Sequence, residues 1–214
     1  MSIAIRHLGP TPYEATWREM QQYTLARTPG STDEIWLTEH PPVYTLGLAG
    51  RSEHLLRNNG IAVVHSDRGG QVTYHGPGQL VAYLMLDLRR RRLGVRGMVR
   101  RIEGAVITWL AGLGVEAWGK VAAPGIYVQR DGFEAKIASL GLRVRNGCSY
   151  HGVAINVDMD LAPFSDIDPC GYPGLRVTQL AAFGIARSVD AAGVELGPIL
   201  VRAMDGEAPT GIAR

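Results

Sequence analysis

Residues 126–157 read IYVQRDGFEAKIASLGLRVRNGCSYHGVAINV, and their punctuation decides the fold. Three runs rich in apolar and β-branched residues, 126–129, 135–144 and 149–157, are separated by Gly-bearing breaks. The last break is Arg145-Asn146-Gly147, and Asn-Gly supplies the positive φ values a tight hairpin needs. A shorter run, 115–118, precedes them, so four strands are expected in succession. Upstream lies the clearest helix, about 95–113: Val95, Val99, Ile102, Val106, Trp109 and Leu113 recur every three or four residues, with Arg96, Arg100, Arg101 and Glu103 on the other faces. Downstream, 178–183 and 189–203 read as helical. Toward the N-terminus, strands are expected at 3–7, 35–38, 43–46, 61–65 and 80–88. Thr11-Pro12-Tyr13-Glu14 reads as a helix start with a capping box, and Tyr13, Trp17 and Met20 share one face of that helix. Strands in runs, with helices between the runs, specify an α+β fold with a mixed, largely antiparallel sheet packed with helices.

Composition sets the outer bounds. A chain of 214 residues with 46% apolar and 20% charged residues builds a sizeable core. No linker, repeat or low-complexity tract divides it, so residues 1–214 are expected to form one domain, with 203–214 as a loose tail. A net charge of +2 gives no polyelectrolyte footprint for nucleic acid. No apolar stretch is long enough to span a bilayer, and the first residues carry no secretory pattern. Two widely spaced cysteines make no disulfide framework, so a reducing, cytoplasmic setting is expected. Of the 22 basic residues only Lys120 and Lys136 are lysines.

The least ordinary stretch is Asp67-Arg-Gly-Gly-Gln-Val-Thr-Tyr-His-Gly-Pro-Gly-Gln79. It is too long for a hairpin turn, and Gly69-Gly70 lets backbone approach a ligand closely. It reads as a binding loop, the plain alternative being a Gly/Pro connection. It is not a phosphate-cradling loop, because no Gly-Lys-Ser/Thr follows. Lys136 stands out because the chain otherwise chooses Arg for positive charge; an ammonium, unlike a guanidinium, can give up its proton. Cys148 opens an apolar run and reads as a small buried hydrophobe. Cys170 sits among turn formers in Asp168-Pro-Cys-Gly-Tyr-Pro-Gly174. A nucleophilic cysteine reacts as its thiolate, which a neighbouring ammonium favours, so pairing Cys170 with Lys136 makes chemical sense. His65, His75 and His151 show no metal-ligand spacing, so no metal site is expected. His75 and His151 read as hydrogen-bonding groups lining a pocket, and His65 as a core or strand-end residue. The run Arg89-Arg-Arg-Arg92 is either a solvated loop or a patch for an acidic protein partner.

Four motifs lie in the order and spacing seen in lipoyl(octanoyl) transferases. They are Arg68-Gly-Gly-x-x-Thr-Tyr-His-Gly-Pro-Gly-Gln79, Lys136-Ile-Ala-Ser-Leu-Gly141, Cys148-Ser-Tyr-His-Gly152 with Asn156, and Pro169-Cys170-Gly171. The chain resembles that family over residues 35–180. The resemblance implies the fold of the biotin and lipoate protein ligase catalytic domains. It also implies transfer of an octanoyl group from octanoyl-acyl carrier protein to a lysine of lipoyl domains, the first step of endogenous protein lipoylation. The acceptors would be the lipoyl domains of 2-oxoacid dehydrogenases and the glycine cleavage H protein, with no cofactor, nucleic acid or membrane involved. Within that resemblance Cys170 carries the acyl thioester and Lys136 tunes it. Arg68, Gly69, Gly70, Gln71, Val72, Thr73, Tyr74 and His75, with Ser139, Leu140, Gly141, Gly152, Val153 and Ala154, line the acyl pocket. The Gly171 amide or its neighbours would hold the oxyanion. An ATP-dependent lipoate ligase of the same fold and a non-catalytic carrier- or lipoyl-domain-binding module are the alternatives.

Overall fold

The computed structural model describes residues 2–206. In chain order these form β1 (Ile3–Pro10), α1 (Tyr13–Leu25), β2 (Asp33–Glu39), β3 (Val43–Leu46), β4 (Ala62–His65), β5 (Val72–His75), β6 (Gln79–Met85), α2 (Val95–Gly112), β7 (Ala117–Gly119), β8 (Gly125–Arg130), β9 (Phe133–Arg145), β10 (Cys148–Asn156) and α3 (Val189–Asp205). Seven strands build one sheet in the order β1-β2-β6-β10-β9-β8-β7, and β4-β3-β5 build a second. Only β1–β2 and β3–β4 run parallel; the other pairs are antiparallel. The expected α+β class and largely antiparallel sheet are therefore what the chain forms. No helix among the described residues is long and apolar enough to cross a membrane.

The large sheet is covered on both faces. On one face α2 and α3 bury Ile102, Val106, Leu196 and Leu200 against Leu37, Leu84, Ile126, Ile137 and Ile155. On the other face, Met20 of α1 packs with Trp36, Val81, Tyr83, Met85, Tyr150 and Ala154. The small sheet has its own core of Tyr44, Leu46, Val72 and Tyr74 with Met159, Phe164 and Ile167. Apolar burial at about 25 cal/mol per Å2 is what holds these layers together.

Several local expectations give way to longer-range contacts. The capping box at Thr11 does not form: α1 starts after Pro12 without a side-chain cap, because the Thr11 hydroxyl is bonded to Thr38 and Thr16. Residues 178–183 are helical only in part: residues 176–178 pair with β9, Lys136 N donating to Arg176 O at 2.8 Å and Thr178 N to Lys136 O at 2.9 Å, and a 3₁₀ helix follows at Leu180–Phe183. On α2 the buried stripe includes Met98, Ala105 and Leu110, while Val95 is 46% exposed at the helix start. Residues 203–205 belong to α3, with Ala203 and Met204 buried, so the tail does not begin at 203; residues 207–214 lie outside the described residues.

Candidate active site

The 13 residues of β9 aim its chemistry through one irregularity. Simple alternation would put Lys136 and Ser139 on opposite faces. The pairing with β8 shifts, however, from Ile126–Ala138 to Tyr127–Lys136, which leaves Ile137 as an extra residue. Both Ile137 and Ala138 pack in the helix-side core. This β-bulge turns Lys136 and Ser139 toward the same cavity.

Lys136 is 2% exposed. Its Nζ donates to Cys170 Sγ at 3.2 Å and to the Pro124 carbonyl at 3.2 Å, and it lies 5.2 Å from the centre of the Tyr127 ring. Burial is the largest influence and works to lower its proton affinity, but Cys170 and Tyr127 together outweigh it, and the Lys136 pKa is raised. Cys170 is half-buried in a 3₁₀ turn, Pro169–Gly171. Its φ of 58° is in the left-handed region, a conformation that costs a non-glycine residue of order 1 kcal/mol and clusters at functional sites. The two amides that follow close the turn, Gly171 N–H on Asp168 O at 2.9 Å and Tyr172 N–H on Pro169 O at 3.1 Å. The expected oxyanion role of Gly171 is therefore not available: its donor is already engaged.

Cys170 and Lys136 open onto a cavity of about 350 Å3. Arg68, Gly69, Gly70, Gln71, Val72, Thr73, His75, Ser139, Leu140, Gly141, Gly152, Val153 and Ala154 all line it. Tyr74 does not. It alternates to the other side of β5, where it packs against Tyr44 and Phe164. Tyr13, Val81 and Tyr83 also line the cavity, as do Val95 and Val99 of α2 and Pro124. Sequence motifs missed these because they come from four separate elements; the local signals were the apolar faces containing Tyr13 and, on α2, Val95 and Val99.

The polar residues around the cavity are mostly turned toward one another. Arg68 is 7% exposed and spends its guanidinium on its own loop: Nε donates to Thr45 Oγ1 at 3.0 Å, Nη1 to Gly69 O at 2.9 Å, and Nη2 to the carbonyls of Thr45 and Gln71, each at 2.6 Å. Asp67 accepts from the Tyr150 hydroxyl, from His151 Nε2 at 2.9 Å, from Trp17 Nε1 at 2.8 Å and from Gln21 Nε2 at 3.2 Å. Burial alone would raise its pKa; these donors outweigh burial and hold it well below the usual carboxylate range. Burial lowers the pKa of His151, so it bonds Asp67 as a neutral imidazole carrying its proton on Nε2.

His75 donates from Nδ1 to Gln79 Oε1 at 2.7 Å, Gln79 Nε2 donates to Asn156 Oδ1 at 2.9 Å, and Asn156 Nδ2 to Thr178 O at 2.9 Å. His75 and His151 thus stand where hydrogen-bonding pocket residues were expected, and His65 is an exposed strand-end residue. Cys148 is 8% exposed, and burial raises its pKa. The arginine run divides. Arg90 and Arg91 reach inward to buried Asp33, Arg90 Nη2 lying 2.7 Å from Oδ1, and Arg27 binds the same carboxylate. Only Arg89 and Arg92 of the four stay exposed. Among the described residues no cluster of side chains could hold a metal ion.

Comparison with known proteins agrees with this architecture. The model of the lipoyl protein ligase A/B catalytic domain matches residues 13–194. An octanoyltransferase of Aromatoleum aromaticum is 58% identical over 210 residues, covering 98% of this chain and 89% of its own. One from Chromobacterium violaceum is 56% identical over 202 residues, covering 94% and 96%. Among solved structures, lipoate-protein ligase A bound with ATP superposes with a TM-score of 0.73 at 21% identity, over 97% of this chain and 85% of that one. The biotin protein ligase of Aquifex aeolicus follows at 0.55 and 11% identity, over 99% and 73%. At those identities the two structures speak for the fold alone. The chain belongs to the lipoyl protein ligase A/B catalytic-domain family, among its octanoyltransferases, and is an acyltransferase.

Proposed function

We propose that this enzyme transfers an octanoyl group from octanoyl-acyl carrier protein to a specific lysine of lipoyl domains, through a thioester on Cys170. The observation that carries the reading is the 3.2 Å contact between Lys136 Nζ and Cys170 Sγ at the wall of a largely carbon-lined cavity.

The protons balance across two steps. Cys170 Sγ attacks the carrier thioester carbonyl, the carbon–sulfur bond to the carrier breaks, and the departing carrier thiolate takes a proton from Lys136 Nζ. One thioester replaces another, so no nucleotide is required. Once Cys170 is acylated its negative charge is gone. Burial, the largest influence on Lys136, is then opposed by Tyr127 alone, and burial favours the neutral amine. That amine takes the proton from the acceptor lysine as its nitrogen attacks the acyl carbon. The bond to Cys170 breaks, leaving amide product and the original thiolate–ammonium pair. Acylation itself switches Lys136 from acid to base.

Incubation with octanoyl carrier protein in the absence of ATP, followed by intact-mass measurement, tests this. The native protein gains one octanoyl adduct that a lipoyl domain removes, and Cys170→Ser gains none that turns over. Undiminished transfer by Cys170→Ser, or a strict requirement for ATP, overturns it.

A further inference from the structure

Behind Lys136, on α2, lies the acidic side chain of Glu103. Glu103 Oε1 accepts from the Gly125 N–H at 3.0 Å. The carbonyl on the other side of that peptide bond, Pro124 O, accepts from Lys136 Nζ at 3.2 Å. One peptide group therefore carries both bonds. Its N–H is held by the carboxylate and its C=O holds the ammonium that touches Cys170. Gly125 completes the seat. Its φ is 148°, and a Cβ there would overlap Cε of Lys136, so only glycine lets the lysine stem pass.

We propose that Glu103 is the positioning residue of the Cys170–Lys136 pair, acting through the Pro124–Gly125 peptide to fix where the ammonium sits. A hydrogen bond at its N–H holds the plane of the peptide group, and with it the direction in which the Pro124 oxygen meets Lys136 Nζ. Elsewhere segment 120–124 is held by side chains of its own side of the site: Lys120 pairs with Glu134, and the Tyr127 and Tyr172 hydroxyls donate to Ala123 O at 2.9 Å and Ala122 O at 3.4 Å. The bond from Glu103 ties the first residue of β8, where this loop ends, to α2. Glu103 bonds the Gly125 N–H and not the sulfur, so its effect on Cys170 passes through Lys136.

The proposal rests on the Cys170 reading but has a test separable from it, the alkylation rate of Cys170 by iodoacetamide at fixed pH, resolved by mass from that of buried Cys148. Three variants divide geometry from charge. Glu103→Gln keeps an oxygen at the Oε1 position and loses the charge; Glu103→Asp keeps the charge and withdraws the oxygen by one methylene; Glu103→Ala removes both. Alkylation, and single-turnover octanoyl loading with it, is expected to fall about ten-fold or more in Glu103→Asp and Glu103→Ala and to stay within about two-fold of native in Glu103→Gln. Native-like rates in Glu103→Asp, or a Glu103→Gln as slow as Glu103→Asp, overturn the proposal. If native protein alkylates rapidly at Cys170 yet never accepts an octanoyl group, the transfer reading fails while the positioning role stands. Should Glu103→Ala not fold, the Asp and Gln variants carry the comparison alone.

Discussion

At the scale of single residues, the site depends on a choice between two cations. The chain meets nearly every demand for positive charge with arginine, yet the group against Cys170 is Lys136. An arginine would also favour a thiolate, but it cannot give up its proton in the acyl-enzyme. Lys136→Arg is therefore expected to separate the half-reactions. Loading slows, and the adduct, once formed, persists, its chase by a lipoyl domain falling by at least about 100-fold, the range of a lost general base. Following the adduct mass over time after adding the acceptor checks this; a chase at the native rate would remove Lys136 from the second step. Lys120 makes a useful contrast. It is paired with Glu134 and lies 4.6 Å from the centre of the Tyr127 ring, on the outer side of the same strand pair.

At the scale of elements, β10 carries the closest packing around the cavity. A Cβ on Gly152 would overlap the Ala82 carbonyl oxygen of neighbouring β6, where Ala82 is held in register with Val153. Backbone in a central strand cannot move aside, so Gly152→Ala is expected to cost at least about 2 kcal/mol in urea unfolding, with the denaturant slope unchanged. A loss under 0.5 kcal/mol would mean the β6–β10 register is not the one described. This strand also shows what sequence can and cannot convey. The Asn146-Gly147 turn was legible because its chemistry is local: both residues adopt positive φ, 52° and 80°, as their side chains permit. The bulge at Ile137 was not, since a run of apolar residues has no local mark for the residue that is doubled. For residues 178–183, the expected helix is cut back to a 3₁₀ helix at Leu180–Phe183 for a related reason. Their own pattern favours a helix, but the free edge of β9 beside Lys136 captures residues 176–178, and that pairing lies 40 positions away in the chain. The Arg68–Gln79 loop and the Pro169–Gly171 turn announced themselves by composition. That they meet around one cavity, with Tyr74 turned out of it, is a product of tertiary structure alone.

At the scale of the whole molecule, the seam between the two sheets is built from neutral imidazoles. His40 Nδ1 donates to Thr11 O at 2.7 Å, so its Nε2 must accept from the Tyr83 hydroxyl, also at 2.7 Å. Tyr13 of α1 stacks on His75 of the small sheet at 5.8 Å, and His40 meets the same ring edge-on at 6.0 Å. The seam joins α1, both sheets and the loop between β2 and β3. A proton on His40 would leave Nε2 donating toward a hydroxyl that already donates to it. Burial accordingly pushes His40 down to about 4 and His75 to about 3. The sign follows directly. The unfolded chain takes up these protons near pH 6.5 and the folded one does not, so stability is complete above about 6.5 and is lost as pH falls toward about 4 and then about 3. Asp67 and Asp33 sit below their ordinary values, so the stability they contribute is present above about 3.9 and lost only below it. The imidazoles therefore lead the acid response. Between pH 7.5 and 4.5 each histidine is expected to remove about 2–3 kcal/mol. His40→Gln, which presents no group that charges in this range, should lose correspondingly less over the same interval. Urea titrations of both proteins at the two pH values measure the difference. Equal losses would show that His40 is not a neutral acceptor in the folded protein, and the Tyr83 hydroxyl would then accept from His40 Nε2 instead of donating to it.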